Sequence, residues 1–218
     1  MKDAPDAILR GEQAAYLDTT LAARDPLLTE MEAYAAAHDH PISDPEVAAL
    51  LSAVVAMRRP SLVVEVGTNI GYGAIVLGRA APASARVVTV EKNPATADVA
   101  RAFVARAGLA AKVEVVTDDA LGFLAALAGP VDLAYLDCIK EDYPRYLELL
   151  GPKLSPGAVV LADNVLWKGL VAKPDAEVPD KELPRVAGLR EFNRRITSAP
   201  YAGVILPIGD GVALATRS

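Results

Sequence analysis

The sequence has one cysteine, Cys138, in 218 residues, so no disulfide can form within the chain; that fits a reducing compartment and a cytoplasmic protein. It has no run of Lys or Arg that could track a phosphate backbone. With 22 basic against 28 acidic residues the net charge is -6, so nucleic acid is not an expected partner. No apolar stretch approaches the roughly 20 residues that span a bilayer. The opening MKDAPDAILRGEQ lacks the charged-then-apolar layout of a signal peptide, and no membrane partner is expected. Internal repeats and low-complexity segments are missing too. What is present is a hydrophobic content of 52%, enough for one sizeable core. A single domain over 1–218 is expected, with a helical cap over 1–58 and an α/β core over 59–218.

The order of elements is legible from periodicity and punctuation. An amphipathic region over about 7–38 precedes SDPEVAALLSAVVAMRRP, where Asp44 can cap and Pro45 suits a first helical turn. In that stretch Val47, Leu50, Leu51, Val54 and Val55 recur at helical spacing. Pro60 ends the helix. Five apolar runs of strand length follow, at 62–67, 86–91, 112–116, 131–137 and 158–163. They alternate with helical segments such as NPATADVARAFVARAG, which has Asn93 as cap, Pro94 at the first position and Gly108 as stop. Continuous apolar runs of this kind suit strands buried on both faces, hence a parallel sheet covered by helices. After a loop with prolines at 174, 179 and 184, a helix RVAGLREFNRRI leads to two short runs around Gly-Asp-Gly, a hairpin signal.

Ligands of open parallel sheets bind beyond the carboxyl ends of the strands. The first such end, VVEVGTNIGYG, brings glycines 67, 71 and 73 into a strand-to-helix turn where backbone N–H groups can face a ligand. Its spacing is not G-x-G-x-x-G, since Asn69 stands at the second glycine. Glu91 ends the second strand, where a carboxylate can accept both hydrogen bonds of a ribose diol. Further strand ends carry Asp118, Asp119 and Asp137.

Together EVGTNIGYG, VEKNP, DDA, LDCIKEDY and LADNVLWKG, in this order and at these separations, resemble the motifs of the cation-dependent O-methyltransferases related to catechol O-methyltransferase and caffeoyl-CoA O-methyltransferase. The likeness runs from about residue 40 to PIGDGVALA. It implies a class I methyltransferase (Rossmann-like) fold of seven mostly parallel strands with a C-terminal antiparallel hairpin, binding S-adenosyl-L-methionine. By position, Glu65, Gly67 and Tyr72 shape the methionine end of the cofactor site, Glu91 takes the ribose, and Asp119 with Ala120 flanks the adenine. Asp137 borders the cofactor and, with Asp163 and Asn164, supplies hard oxygen ligands to Mg²⁺ or another divalent cation such as Mn²⁺ or Ca²⁺. Two adjacent hydroxyls of a small phenolic substrate complete the coordination, and Lys140 is the base that removes a proton. Bacterial relatives suggest a homodimer through the Ala-rich N-terminal helix.

Two departures from the family stand out. Gly73 replaces a serine whose hydroxyl meets the cofactor. Ile139 replaces the second acid of Asp-Ala-Asp-Lys, which favours a small ortho-diphenol over a coenzyme A thioester. Taken singly, the residues have plainer readings. Asp137 alone is more readily a helix cap, Asp163-Asn164 a turn, Lys140 a solvated charge and Cys138 a buried filler. Trp167 could wall an aromatic substrate or simply pack, Tyr143 is expected beneath Lys140, and His38 and His40 are given a solvated loop. A nicotinamide oxidoreductase shares the sheet and the ribose acid but lacks the pyrophosphate loop. A non-catalytic member of the fold is the other alternative.

Overall fold

The structure is a computed structural model that describes residues 11–23 and 25–218. Helices α1 (Gly11–Thr20) and α2 (Pro26–Ala37) form the N-terminal region; residues 7–10, where that region was expected to begin, lie outside the described residues. Asp25 starts α2 by accepting a hydrogen bond from Leu28 N at 2.9 Å, with proline at the first helical position. Helix α3 (Pro45–Arg58) buries Val47, Leu51, Val54 and Val55 of the expected stripe and leaves Leu50 half-buried, and it stops where Arg59 turns left-handed before Pro60.

The core alternates as read. Strands β1 (Leu62–Val66), β2 (Arg86–Glu91), β3 (Val113–Thr117), β4 (Val131–Leu136) and β5 (Leu154–Ala162) are separated by α4 (Tyr72–Ala80), α5 (Pro94–Arg106), α6 (Ala120–Ala126) and α7 (Tyr143–Leu150). Asn93 caps α5 through its side-chain oxygen, which accepts from Ala95 N and Thr96 N. Helix α8 (Leu183–Ile196) leads to the hairpin β6 (Tyr201–Leu206) and β7 (Val212–Arg217). The seven strands lie in the order β3-β2-β1-β4-β5-β7-β6, parallel from β3 to β5 and antiparallel at β7.

Successive strand residues alternate between two cores, as a period of two demands. Val63 packs with Leu51, Ile75, Leu77 and Phe103 on one face. Val64 and Val66 pack with Leu124, Tyr146, Leu147 and Phe192 on the other. Each fully buried aliphatic or aromatic side chain of this kind is worth about 1.5–3 kcal/mol relative to exposure. β5 begins four residues before the apolar run at 158–163, because Pro156 and left-handed Gly157 make its first half read as a turn; the register against β4 shifts between Val131 and Leu133. Among the described residues no helix is long and apolar enough to cross a membrane.

Candidate active site

From β1 the chain winds outward through β2 to β3, and from β4 it proceeds the other way through β5, so the carboxyl ends of β1 and β4 flank the point where winding reverses. Ligands settle at such a point. A cavity of about 970 Å³ opens there. Gly67, Glu91, Asp119 and Ala120 line its β1–β3 side, and Asp137, Lys140, Asp163, Asn164 and Trp167 line the β4–β5 side.

On the first side the Glu91 carboxylate is aimed by two backbone donors, Asn69 N at 3.0 Å to Oε2 and Asn93 N at 2.9 Å to Oε1. Each oxygen keeps a further lone pair for a ligand hydroxyl. Asp119 caps α6, with Oδ2 accepting from Leu121 N and Gly122 N at 3.1 Å. Three residues assigned by resemblance do not line this cavity. Tyr72 is buried, and its hydroxyl donates to Glu32 Oε1 on α2 at 2.9 Å. Glu65 is buried and accepts from Thr89 Oγ1 at 2.6 Å. Gly73 lies against it: a Cβ there would sit 2.2 Å from Glu65 Oε1, so the position expected to hold serine is occupied by a neighbouring carboxylate.

The second side gathers around Lys140, which opens a 3-10 turn over Lys140–Asp142 just past β4. It is not the solvated charge of the plain reading, being 6% exposed. Its Nζ donates to Asp137 Oδ1 at 2.7 Å and to Tyr143 Oη at 2.9 Å. Tyr143 lies beneath it as expected, the ring centroid 5.1 Å from Nζ, and its hydroxyl donates a hydrogen bond shared between the carbonyls of Leu136 and Asp163 at 2.9 and 3.0 Å. Burial first, then the charges of Asp137 and Asp163, push the Tyr143 phenol well above its usual range. It therefore stays protonated. The turn is braced from outside by α8, where Gly188 comes so close that a Cβ would lie 2.8 Å from Glu141 Cα.

Asp163 is 2% exposed. Its Oδ1 accepts from Asn164 N at 2.7 Å, and its Oδ2 accepts from Tyr135 Oη at 3.3 Å. Burial and then the neighbouring Asp137 charge raise its carboxyl to about 7. Asp137, Asp163 and Asn164 line the same part of the cavity, and two carboxylates with a side-chain amide are the oxygen donors that a hard divalent cation takes. Among the described residues no three His, Cys, Asp or Glu side chains form such a group.

A sequence profile of the O-methyltransferase family matches residues 19–218. The chain belongs to that O-methyltransferase family. It is 38% identical over 168 residues to a catechol O-methyltransferase of Mycobacterium tuberculosis, covering 74% of this chain and 75% of the relative. It is 28% identical over 193 residues to a caffeoyl-CoA O-methyltransferase of Stellaria longipes, covering 84% and 80%. A crystal structure of an O-methyltransferase from Bacillus cereus in complex with SAH superposes with a TM-score of 0.83 at 30% identity, covering 94% of this chain and 96% of that one. This membership sets the oxidoreductase alternative aside.

Other residues of this O-methyltransferase join the site from segments that the resemblance places near it, the connection before Pro41 and the stretch 169–185, without singling out their side chains. Pro41, Ile42 and Asp44 join the cavity wall from the approach to α3, and Glu182 and Arg185 join it from the start of α8. Ser43 Oγ meets Tyr135 Oη at 2.9 Å, which ties that approach to Asp163. Trp167 does line the cavity, from a segment left-handed at Asn164, Trp167 and Lys168. Left-handed non-glycine residues cost of order 1–3 kcal/mol each and persist only where surroundings fix them. Here the hairpin turn does so: Val165 N donates to Gly211 O, Leu166 N to Asp210 O and Lys168 N to Asp210 Oδ1. Cys138 is half-buried at the wall, and burial pushes its thiol up, so it offers no thiolate. His38 is exposed but stacks on Tyr34, the ring centroids 4.1 Å apart.

Glu65 supplies a pH test. Burial, partly offset by the Thr89 hydrogen bond and reinforced by Asp137, raises its carboxyl from 4.5 to about 8. Between those values the folded protein holds a proton that the unfolded chain has released, so stability falls as pH rises through the window. The slope from one such group reaches about 1.4 kcal/mol per pH unit. Denaturant titrations of cofactor-free protein from mildly acidic to mildly alkaline buffer should show this decline, with a shallower one in Glu65→Gln. Equal slopes in the two proteins would mean that another group titrates.

Proposed function

We propose that this S-adenosylmethionine-dependent O-methyltransferase methylates one hydroxyl of a small ortho-dihydroxy aromatic with the help of a divalent cation. The observation that carries the reading is Lys140, buried at the cavity and 2.7 Å from Asp137, beside a second buried carboxylate and across from an aromatic wall. Glu91, its carboxylate fixed by two amides, would hold the ribose diol, with Asp119 and Ala120 at the base and Gly67 at the turn below. Asp137, Asp163 and the Asn164 side-chain oxygen would hold the cation, Mg²⁺ by preference for few protein ligands and several waters. Such an ion supplies a template for adjacent hydroxyls and lowers their pKa.

Lys140 would then accept the proton of the hydroxyl to be methylated. It must be the neutral amine to do so. Tyr143, which stays protonated, fixes Nζ by accepting its hydrogen bond and cannot replace it as base. The acceptor oxygen forms its bond to the sulfonium methyl as the S–CH₃ bond breaks, and S-adenosylhomocysteine leaves. Holding both reactants side by side provides much of the rate. Retention of Lys140 with all three oxygen donors speaks against a non-catalytic member of the fold. Ile139 at the cavity wall supports a small neutral acceptor over a thioester of coenzyme A. The expected homodimer has exposed Tyr16 and Leu17 on α1 in its favour, and a free thiol suits the cytoplasm.

The test is methyl transfer to catechol, resorcinol and phenol in the presence of Mg²⁺. Only catechol should be turned over efficiently. Comparable rates for all three would remove the adjacent hydroxyl, and with it the chelated acceptor, from the mechanism.

A further inference from the structure

Trp167 is the one tryptophan of the chain. An indole N–H is a donor only, and Glu182 Oε2 accepts it at 2.8 Å. The same oxygen accepts from Arg185 Nη1 at 3.1 Å, and Arg185 Nε lies 3.5 Å from Glu141, the residue after Lys140. The Arg185 guanidinium also stands 5.4 Å from the centroid of the indole. The Glu182 side chain is 16% exposed. Its hydrogen bonds from Trp167 first, then Arg185, hold its carboxyl below the usual range, so it remains charged. Glu182 closes the 3-10 turn Asp180–Glu182, which runs straight into α8, the helix that braces the turn of Lys140. One carboxylate thus ties the indole after β5 to the element that supports the proposed base.

We infer that Glu182 is a positioning residue, setting the Trp167 ring against the acceptor half of the cavity so that acceptor affinity depends on a carboxylate that need not touch the acceptor. The inference rests on the proposed reading of Trp167 as a wall of the acceptor site. Without Glu182 the indole N–H loses its acceptor, and the ring gains freedom about its side-chain torsions. The acceptor then binds a wall that must first be ordered, a cost that falls on binding more than on the chemical step.

The lone tryptophan makes its surroundings directly readable. With S-adenosylhomocysteine and Mg²⁺ bound, catechol should change the emission of the wild-type protein. Glu182→Ala should show red-shifted emission and easier acrylamide quenching before any acceptor is added. Its KM for catechol should rise about 3–10-fold while kcat changes far less, the pattern of lost uniform binding. Glu182→Gln, whose amide oxygen can still accept the indole proton, should bring emission and KM back toward wild type. If wild-type emission ignores catechol, the acceptor-wall reading falls and takes the inference with it. If wild type responds but Glu182→Ala keeps its emission and KM, the inference alone is overturned; it is likewise overturned if kcat falls with KM unchanged.

Discussion

Lys140→Ala should lower kcat about 10²–10⁴-fold at neutral pH with saturating S-adenosylmethionine and Mg²⁺, the usual contribution of a positioned base. The size of the effect follows from how little could stand in for the amine. Tyr143 Oη, 2.9 Å from Nζ, is held protonated by burial and by two carboxylates. Asp137 and Asp163 are committed to the cation in the proposed mechanism. The substitution leaves those oxygen donors in place, so KM for the acceptor should move little. Part of the lost rate should return at high pH, where hydroxide can take the proton. The measurement is the pH–rate profile of the variant beside that of the parent. Near-normal turnover at neutral pH would reduce Lys140 to a structural partner of Asp137 and Tyr143.

Removing divalent metal should be as severe for turnover and nearly silent for the cofactor. The proposed ion lies among Asp137, Asp163 and Asn164 on the β4–β5 side, whereas Glu91 and Asp119 stand at the ends of β2 and β3. EDTA should therefore cut methyl transfer by at least about 10²-fold, given the several kcal/mol that Lewis-acid assistance supplies. Calorimetry should find S-adenosylhomocysteine affinity within a few-fold of its original value, and added Mg²⁺ should restore the rate. Full activity in metal-free buffer would leave the paired carboxylates without their proposed purpose.

The sheet was legible in the sequence because its strands are buried on both faces and read as unbroken apolar runs. Asn93, Pro94 and Gly108 likewise mark their helix by local chemistry that depends on no distant neighbour. Burial of charge was legible only through the resemblance, not from the residues taken singly. Nothing in a single Lys140 distinguishes a buried amine from one in solvent; the turn that carries it is backed by α8, where Gly188 lies against Glu141, almost fifty positions along the chain. The same holds for Glu182, an acid in a polar, proline-punctuated loop whose partner Trp167 is brought to it only by packing. Glu65 and Gly73 show the reverse case. Motif position assigns them to the cofactor; in the structure neither lines the cavity, and the Glu65 carboxylate lies where a side chain at position 73 would begin.

The place of β7 has a bearing on how the molecule is assembled during synthesis. β5 pairs directly with β4, whereas β6 joins the sheet only through β7, which lies between β5 and β6 and follows both in the chain. A nascent polypeptide that has released β6 but not β7 carries an open β5 edge and a β6 with no partner, the kind of surface that invites association with other chains. The turn joining β6 to β7 also supplies Asp210 and Gly211, whose oxygens hold the left-handed segment bearing Trp167. The wall proposed to face the acceptor thus takes its shape only once this hairpin has closed, so the site depends on pairing of β7 with β5 and β6 as well as on its own residues.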